Sequence, residues 1–188
     1  VVSIGNIAGL YIAGTLAEHV KAGRLTWDKP VQIQDDFKSL VGGRMQLEPE
    51  EAEFPVSRYV ELMLGSGDTT AFDHMLGLAG SGAVEAYMAR FCSDASRNRP
   101  FLRTMEYYQL KLGSNRALPK KYAQSDENGR NSILASGEAH KSIPSLVAVA
   151  NWRQPFEVEH IGWFATADDC CRLMADLHAR ELDLLGAL

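Results

Sequence analysis

Between Gly65 and Met75 the chain reads Gly-Ser-Gly-Asp-Thr-Thr-Ala-Phe-Asp-His-Met, placing hydroxyl, carboxylate and imidazole groups close together. Three chemistries could arise from this run. The Ser66 hydroxyl could act as a nucleophile if a base stood beside it. Asp73-His74 has the composition of an acid–base pair. Asp68 could work as a free carboxylate. Local geometry weighs against each. Adjacent residues on a helix point away from each other, so Asp73 and His74 do not face one another, and His74 reads as structural. The register of Thr70 to Met75 turns Ser66 to the wrong face, leaving it a weak candidate. Asp68 directly precedes a helical stretch, where an aspartate caps free backbone N–H groups.

Candidates elsewhere are sparser. The histidines at 19, 74, 140, 160 and 178 share no metal-ligand spacing with cysteine or carboxylate, and Cys170-Cys171 with His178 is one pair on a helix rather than a zinc site. No cofactor is expected. Glu157 and Glu159 alternate before Trp163, with nothing to place them opposite a nucleophile. Gly77, Gly80 and Gly82 form a superficial glycine motif, but no strand precedes it, which argues against a dinucleotide loop. The 188 residues carry a net charge of -5, and Lys120-Lys121 has no aromatic platform beside it. Nucleic acid is therefore not an expected partner. The apolar run from Ile7 to Ala17 is too short to span a bilayer. The three cysteines, Cys92, Cys170 and Cys171, fit no disulfide framework and read as reduced thiols. With no visible leader at Val1-Val2-Ser3, they favour the cytoplasm.

The elements that would position these groups are mostly helical, within one domain spanning 1–188. Apolar spacing predicts a helix over 5–22 that ends at Gly23. A turn follows at Trp27-Asp28-Lys29-Pro30. Val31 to Ile33 alternates like a short strand whose partner is Phe54 to Val56. Ser57 is expected to cap a helix over 58–64, and Asp68 one over 69–78. Further helices are expected over 83–92, over 105–112 behind a Thr104 cap, and over 143–152. Two short, mostly exposed ones are expected over 115–124 and 126–135. Thr166-Ala167-Asp168-Asp169 is a capping box that opens a long final helix carrying Cys170, Leu173, Leu177, Leu182 and Leu185. That helix's period makes one of Cys170 and Cys171 a core residue and the other partly exposed. Tyr107-Tyr108, Trp152, Trp163 and Phe164 read as core aromatics.

Four segments carry a resemblance. Gly14-Thr15-Leu16-Ala17 through Val31 resembles the nucleophile helix and following loop of class A β-lactamases, penicillin-recognising serine hydrolases. Val56 to Leu76 resembles their S-D-N helix pair. Arg99 to Glu106 and Ile161 to Asp169 resemble later segments of a β-lactamase-like branch found in clavulanate gene clusters. The resemblance implies a mostly α, orthogonal multi-helix domain. It also implies a serine and a lysine one helical turn apart, with the lysine helping to activate the serine. Here those positions are Asn6 and Gly9, and the S-D-N triplet falls on Gly67, Asp68 and Thr69. A carboxamide is a poor nucleophile, and Gly9 supplies no amine. It leaves a space that neighbours are expected to fill. Lys21-Ala22-Gly23 and Lys111-Leu112-Gly113 match the family's K-T-G strand motif only loosely and read as helix C-terminal signals.

The resemblance also implies an antiparallel sheet, of which this sequence offers at most a two-stranded ribbon. The expectation is a degenerate, catalytically inactive homologue acting in binding or assembly. Its uncovered sheet-facing side would meet a second copy or a partner protein, through the first or last helix. The alternative is an active serine hydrolase with displaced residues, or with catalytic strands outside this sequence.

Overall fold

A computed structural model describes residues 1–39, 42–136 and 156–179. The helix expected over 143–152, with Trp152 and His140, lies outside them, as do Leu182 and Leu185.

The fold is mostly α. Helix α1 (Gly9–Lys21) follows a 3-10 turn at Gly5–Ala8, so the first expected helix divides at Gly9. Gly23, at φ 69°, ends it by taking a conformation that side chains disfavour. Strands β2 (Pro30–Gln32) and β3 (Glu53–Pro55) pair antiparallel with Val31 opposite Phe54, one residue earlier than expected. Helix α2 (Val56–Gly65) grows straight out of β3. Ser57 is therefore not its cap. The first N–H groups of α2 are satisfied instead by the loop before β2: Val56 donates to the Lys29 carbonyl and Ser57 to that of Trp27.

Helix α3 (Thr69–Ala79) is the centre of the molecule. It packs on α1, α2, α4 (Ser81–Met88) and α5 (Thr104–Leu112), and Thr69 through Leu76 are all buried. A helix buried on every side must satisfy each polar group internally, and its Thr, Asp and His residues do so. Arg103 rather than Thr104 sits at the N-cap of α5, and Glu106 reaches back to the Arg103 N–H at 2.8 Å. Helices α6 (Leu118–Gln124) and α7 (Glu127–Ala135) are less exposed than expected: Leu118, Pro119, Tyr122, Ile133 and Leu134 are buried. Asp126 caps α7 through the Gly129 N–H.

The final helix, α8 (Ala167–Ala179), has the expected capping box. The Asp169 N–H donates to Thr166 Oγ1 at 3.0 Å, and the Thr166 N–H to Asp169 Oδ2 at 2.8 Å. Neither of its cysteines is core: Cys170 is half-buried and Cys171 exposed, while Cys92 is buried. A second ribbon, beyond the single one expected, joins β1 (Val2–Ser3) to β4 (Phe164–Ala165), with Val2 opposite Ala165. Trp163 and Phe164 are core. The Trp163 indole donates to the Leu102 carbonyl and packs against Phe72, Phe101 and Tyr107.

Candidate functional site

The positions singled out by motif converge where the 3-10 turn at Gly5–Ala8 meets the α2–α3 junction. Gly67 adopts φ 67°, and a Cβ built on it would lie 2.5 Å from Asn6 Nδ2. The Asn6 carboxamide thus stands against the bare Cα of Gly67. Gly9 is buried in the first turn of α1, where an added Cβ would touch Leu64 Cδ2 and Met63 Cγ, each at 3.3 Å. Neighbouring apolar side chains therefore fill the space at Gly9. The exposed Ser66 donates its hydroxyl to the Leu62 carbonyl at 2.9 Å, one turn back on its own helix.

The next three residues pin a loop. Asp68 is buried and its carboxylate is fully used. Oδ1 accepts the Ala71 N–H at 2.9 Å, capping α3. Oδ2 accepts the N–H groups of Arg44 at 2.7 Å and Met45 at 3.0 Å. Gly43, at φ 92°, passes so close that a Cβ there would fall 2.0 Å from Asp68 Oδ2. Thr69 donates its hydroxyl to the Gly42 carbonyl at 3.0 Å, and Thr70 Oγ1 accepts the Ser39 N–H at 3.0 Å. Oxygens at the start of α3 that could have faced a substrate are instead spent on the chain that crosses them.

His74 and Asp73 do face opposite ways. The Gln34 N–H donates to His74 Nε2 at 3.0 Å, which places the ring proton on Nδ1, 2.8 Å from the Thr70 carbonyl. Burial lowers the His74 pKa, opposed by the Thr70 carbonyl. The imidazole is thus neutral and has both nitrogens occupied. Asp73 points to α5, accepting the Thr104 N–H at 2.6 Å, the Thr104 hydroxyl at 2.9 Å and the Met105 N–H at 3.0 Å. Burial pushes its carboxyl up to about 7 against the pull of those donors.

Sequence reasoning placed Lys111 at a helix C-terminus, where it lies, but missed its burial. It is buried in the last turn of α5 and donates Nζ to the Phe156 carbonyl. Burial draws its ammonium down to about 8, against the nearby Glu157. Its segment, Tyr107 to Leu112, has no clear apolar periodicity and so gave no signal of burial. Glu157 and Glu159 sit in the exposed turn that Lys111 anchors, and Glu157 Oε2 lies 3.1 Å from His160 Nδ1. Among the described residues, no three His, Cys, Asp or Glu side chains gather as a metal site. No described helix is long and apolar enough to cross a membrane.

The site thus joins a central buried helix, entered through an Asp-Thr-Thr clamp, to a 3-10 turn that leads into a second buried helix. Residues 2–150 match the β-lactamase enzyme family, and the chain belongs to that family. No curated protein matches the chain. Solved structures similar to it include PBP-A, at 15% identity and TM-score 0.46 over 77% of this chain and 49% of that one. An acyl-enzyme complex of a PBP-A point mutant with penicillin G is similar at 14% identity and TM-score 0.47, over 77% and 49%. A β-lactamase from Sphaerobacter thermophilus DSM 20745 is similar at 17% identity and TM-score 0.49, over 73% and 55%. The chain spans about half the length of these proteins.

Proposed function

We propose that this chain is a catalytically inactive member of the β-lactamase enzyme family that acts in binding or assembly. One observation carries the reading: the Asn6 carboxamide stands against Gly67, where the family resemblance calls for two serines. Acyl transfer needs a hydroxyl or thiol with a base in hydrogen-bond reach. Asn6 has no hydroxyl or thiol, Gly9 has no amine, and Gly67 has no hydroxyl to relay a proton. The nearest substitute, Ser66, is bonded to Leu62. Thr69, at the asparagine position, is turned to Gly42. Apolar side chains exposed at Val2 and Ile7 flank Asn6 in sequence, and Met174 is exposed on α8. These surfaces support association with a second copy or a partner protein.

Intact-mass spectrometry after incubation with penicillin G tests the inactive reading, the expected result being an unchanged mass. A covalent adduct on this chain would overturn it. Turnover of a chromogenic β-lactam that disappears in Ser66→Ala would establish the alternative, acyl transfer through a displaced hydroxyl. Light scattering over a concentration series tests association. A mass that stays monomeric at high concentration, with no partner, would refute self-assembly.

A further inference from the structure

At the other end of α3 from Gly67, about 15 Å along the helix axis, a cleft of about 590 Å³ opens between α3, the segment from Pro100 to Arg103, and α7. That volume lies within the range of small-molecule sites. Its apolar lining is made by the buried residues Leu76, Phe101 and Leu134. Polar groups are contributed by Arg103, Glu106 and Asn131, with the exposed hydroxyl of Ser81 also in the lining.

Donors and acceptors are not balanced among those three. Both oxygens of Glu106 are engaged, Oε2 by the Arg103 N–H at 2.8 Å and Oε1 by Arg103 Nε at 3.5 Å. Arg103 has donors left over. Its Nε faces Glu106 and its Nη1 donates to the Asp36 carbonyl at 3.3 Å, while no partner is found for Nη2 among the described residues. The guanidinium also rests 5.5 Å from the Phe37 ring centroid, a further contact that restrains it. Asn131 adds an exposed carboxamide. A fixed guanidinium with N–H groups to spare favours an acceptor-only group, above all a carboxylate. We propose that this cleft binds a small molecule with an apolar body and a carboxylate, the body lying on Leu76, Phe101 and Leu134 and the carboxylate on Arg103 and Asn131. The site is separate from the Asn6–Gly67 junction and does not rest on that junction being inactive.

The test is an amide nitrogen–proton NMR titration of the full chain with phenylalkanoates of two to six methylene groups, beside the matching primary amides. Saturable shifts are expected at Gly77, Gly80 and Asn131, with the acid binding roughly tenfold or more tighter than its amide. Arg103→Gln should bring the acid down to the affinity of the amide. Ala135→Trp should fill the cleft and abolish binding of both, and Asn6→Ala should change nothing. Should Arg103→Gln lose a folded spectrum, the acid–amide contrast and Ala135→Trp decide the matter. Absence of saturable shifts at the cleft across the series, or equal affinity for acid and amide, would overturn the proposal.

Discussion

Asp68 should be a structural anchor, and two substitutions separate the parts of that role. Asp68→Ala removes the cap of α3, which is worth about 1 kcal/mol. It also strips the N–H groups of Arg44 and Met45 of their acceptor. Arg44 is exposed, so water replaces the carboxylate there at little cost. Met45 is buried, and an orphaned buried N–H costs about 2 kcal/mol. Asp68→Ala should therefore cost about 3 kcal/mol. Asp68→Asn keeps one acceptor oxygen, which can serve either the cap or the loop, while its NH2 faces N–H groups at the other. The cheaper choice is to keep the loop and lose the cap, so Asn should cost about 1–2 kcal/mol. Urea unfolding curves fitted with a common slope measure both values. The account fails if Asp68→Ala costs under about 1 kcal/mol, or if Asn is as damaging as Ala.

Gly67→Ala should cost about 1–2 kcal/mol, because φ 67° is unfavourable for any side chain. Adding Asn6→Ala should recover little, since the exposed Asn6 side chain can swing aside, and full recovery in the double variant would show that the contact, not the backbone, sets the cost. Gly14→Ala should destabilise by about 1–3 kcal/mol despite alanine's better helix propensity, since the new Cβ would lie 2.4 Å from the buried Tyr87 ring; a rise in melting temperature would contradict this. For Asp169, burial works to raise the pKa, but the Thr166 N–H and hydroxyl, the Ser93 N–H and Arg172 hold it at about 2, below its ordinary 3.8. A lowered folded-state pKa stabilises fully above about pH 4, and that contribution, about 2 kcal/mol, is lost as pH falls toward 2. Unfolding measured between pH 5 and 2 should show that loss, and Asp169→Asn should remove it; an equal slope in the variant would count against the assignment.

What could be read from the sequence was mostly short-range. Asp68 as the cap of α3, the box at Thr166 and Asp169, the existence of a ribbon between the segments around Val31 and Phe54 (though not its register) and the independence of Asp73 from His74 all depend on spacing within a few residues or on alternation. The caps expected at Ser57 and Thr104 failed for a shared reason. Groups distant in sequence had already taken the backbone donors or the side chain. Ser57 N–H meets Trp27, and the Thr104 N–H and hydroxyl meet Asp73. The close approach of Asn6 to Gly67 was reachable only through the family motif, because nothing in the local pattern of either residue points to the other. The burial of Lys111 and the β1–β4 pairing left no local trace at all, since both are made by partners that arrive from far along the chain.

The two ribbons differ in what they ask of the unfolded chain. Paired residues in β2–β3 are roughly 25 positions apart at most, and in β1–β4 roughly 160. Loop-closure entropy grows with the logarithm of that span, so β1–β4 carries an extra cost of about 1–2 kcal/mol. Two ladder pairs and the Ile4 N–H donated to the Trp163 carbonyl tie the segments together across that span. The β1–β4 ribbon should therefore be the later of the two to form and the first to open. Asn6 follows β1 by only a few residues. The turn that carries Asn6 is also held from its other end, where it runs into α1, so hydrogen exchange should find the Ile4 amide, which donates to the Trp163 carbonyl, opening well before the core of α3 while Asn6 keeps its place.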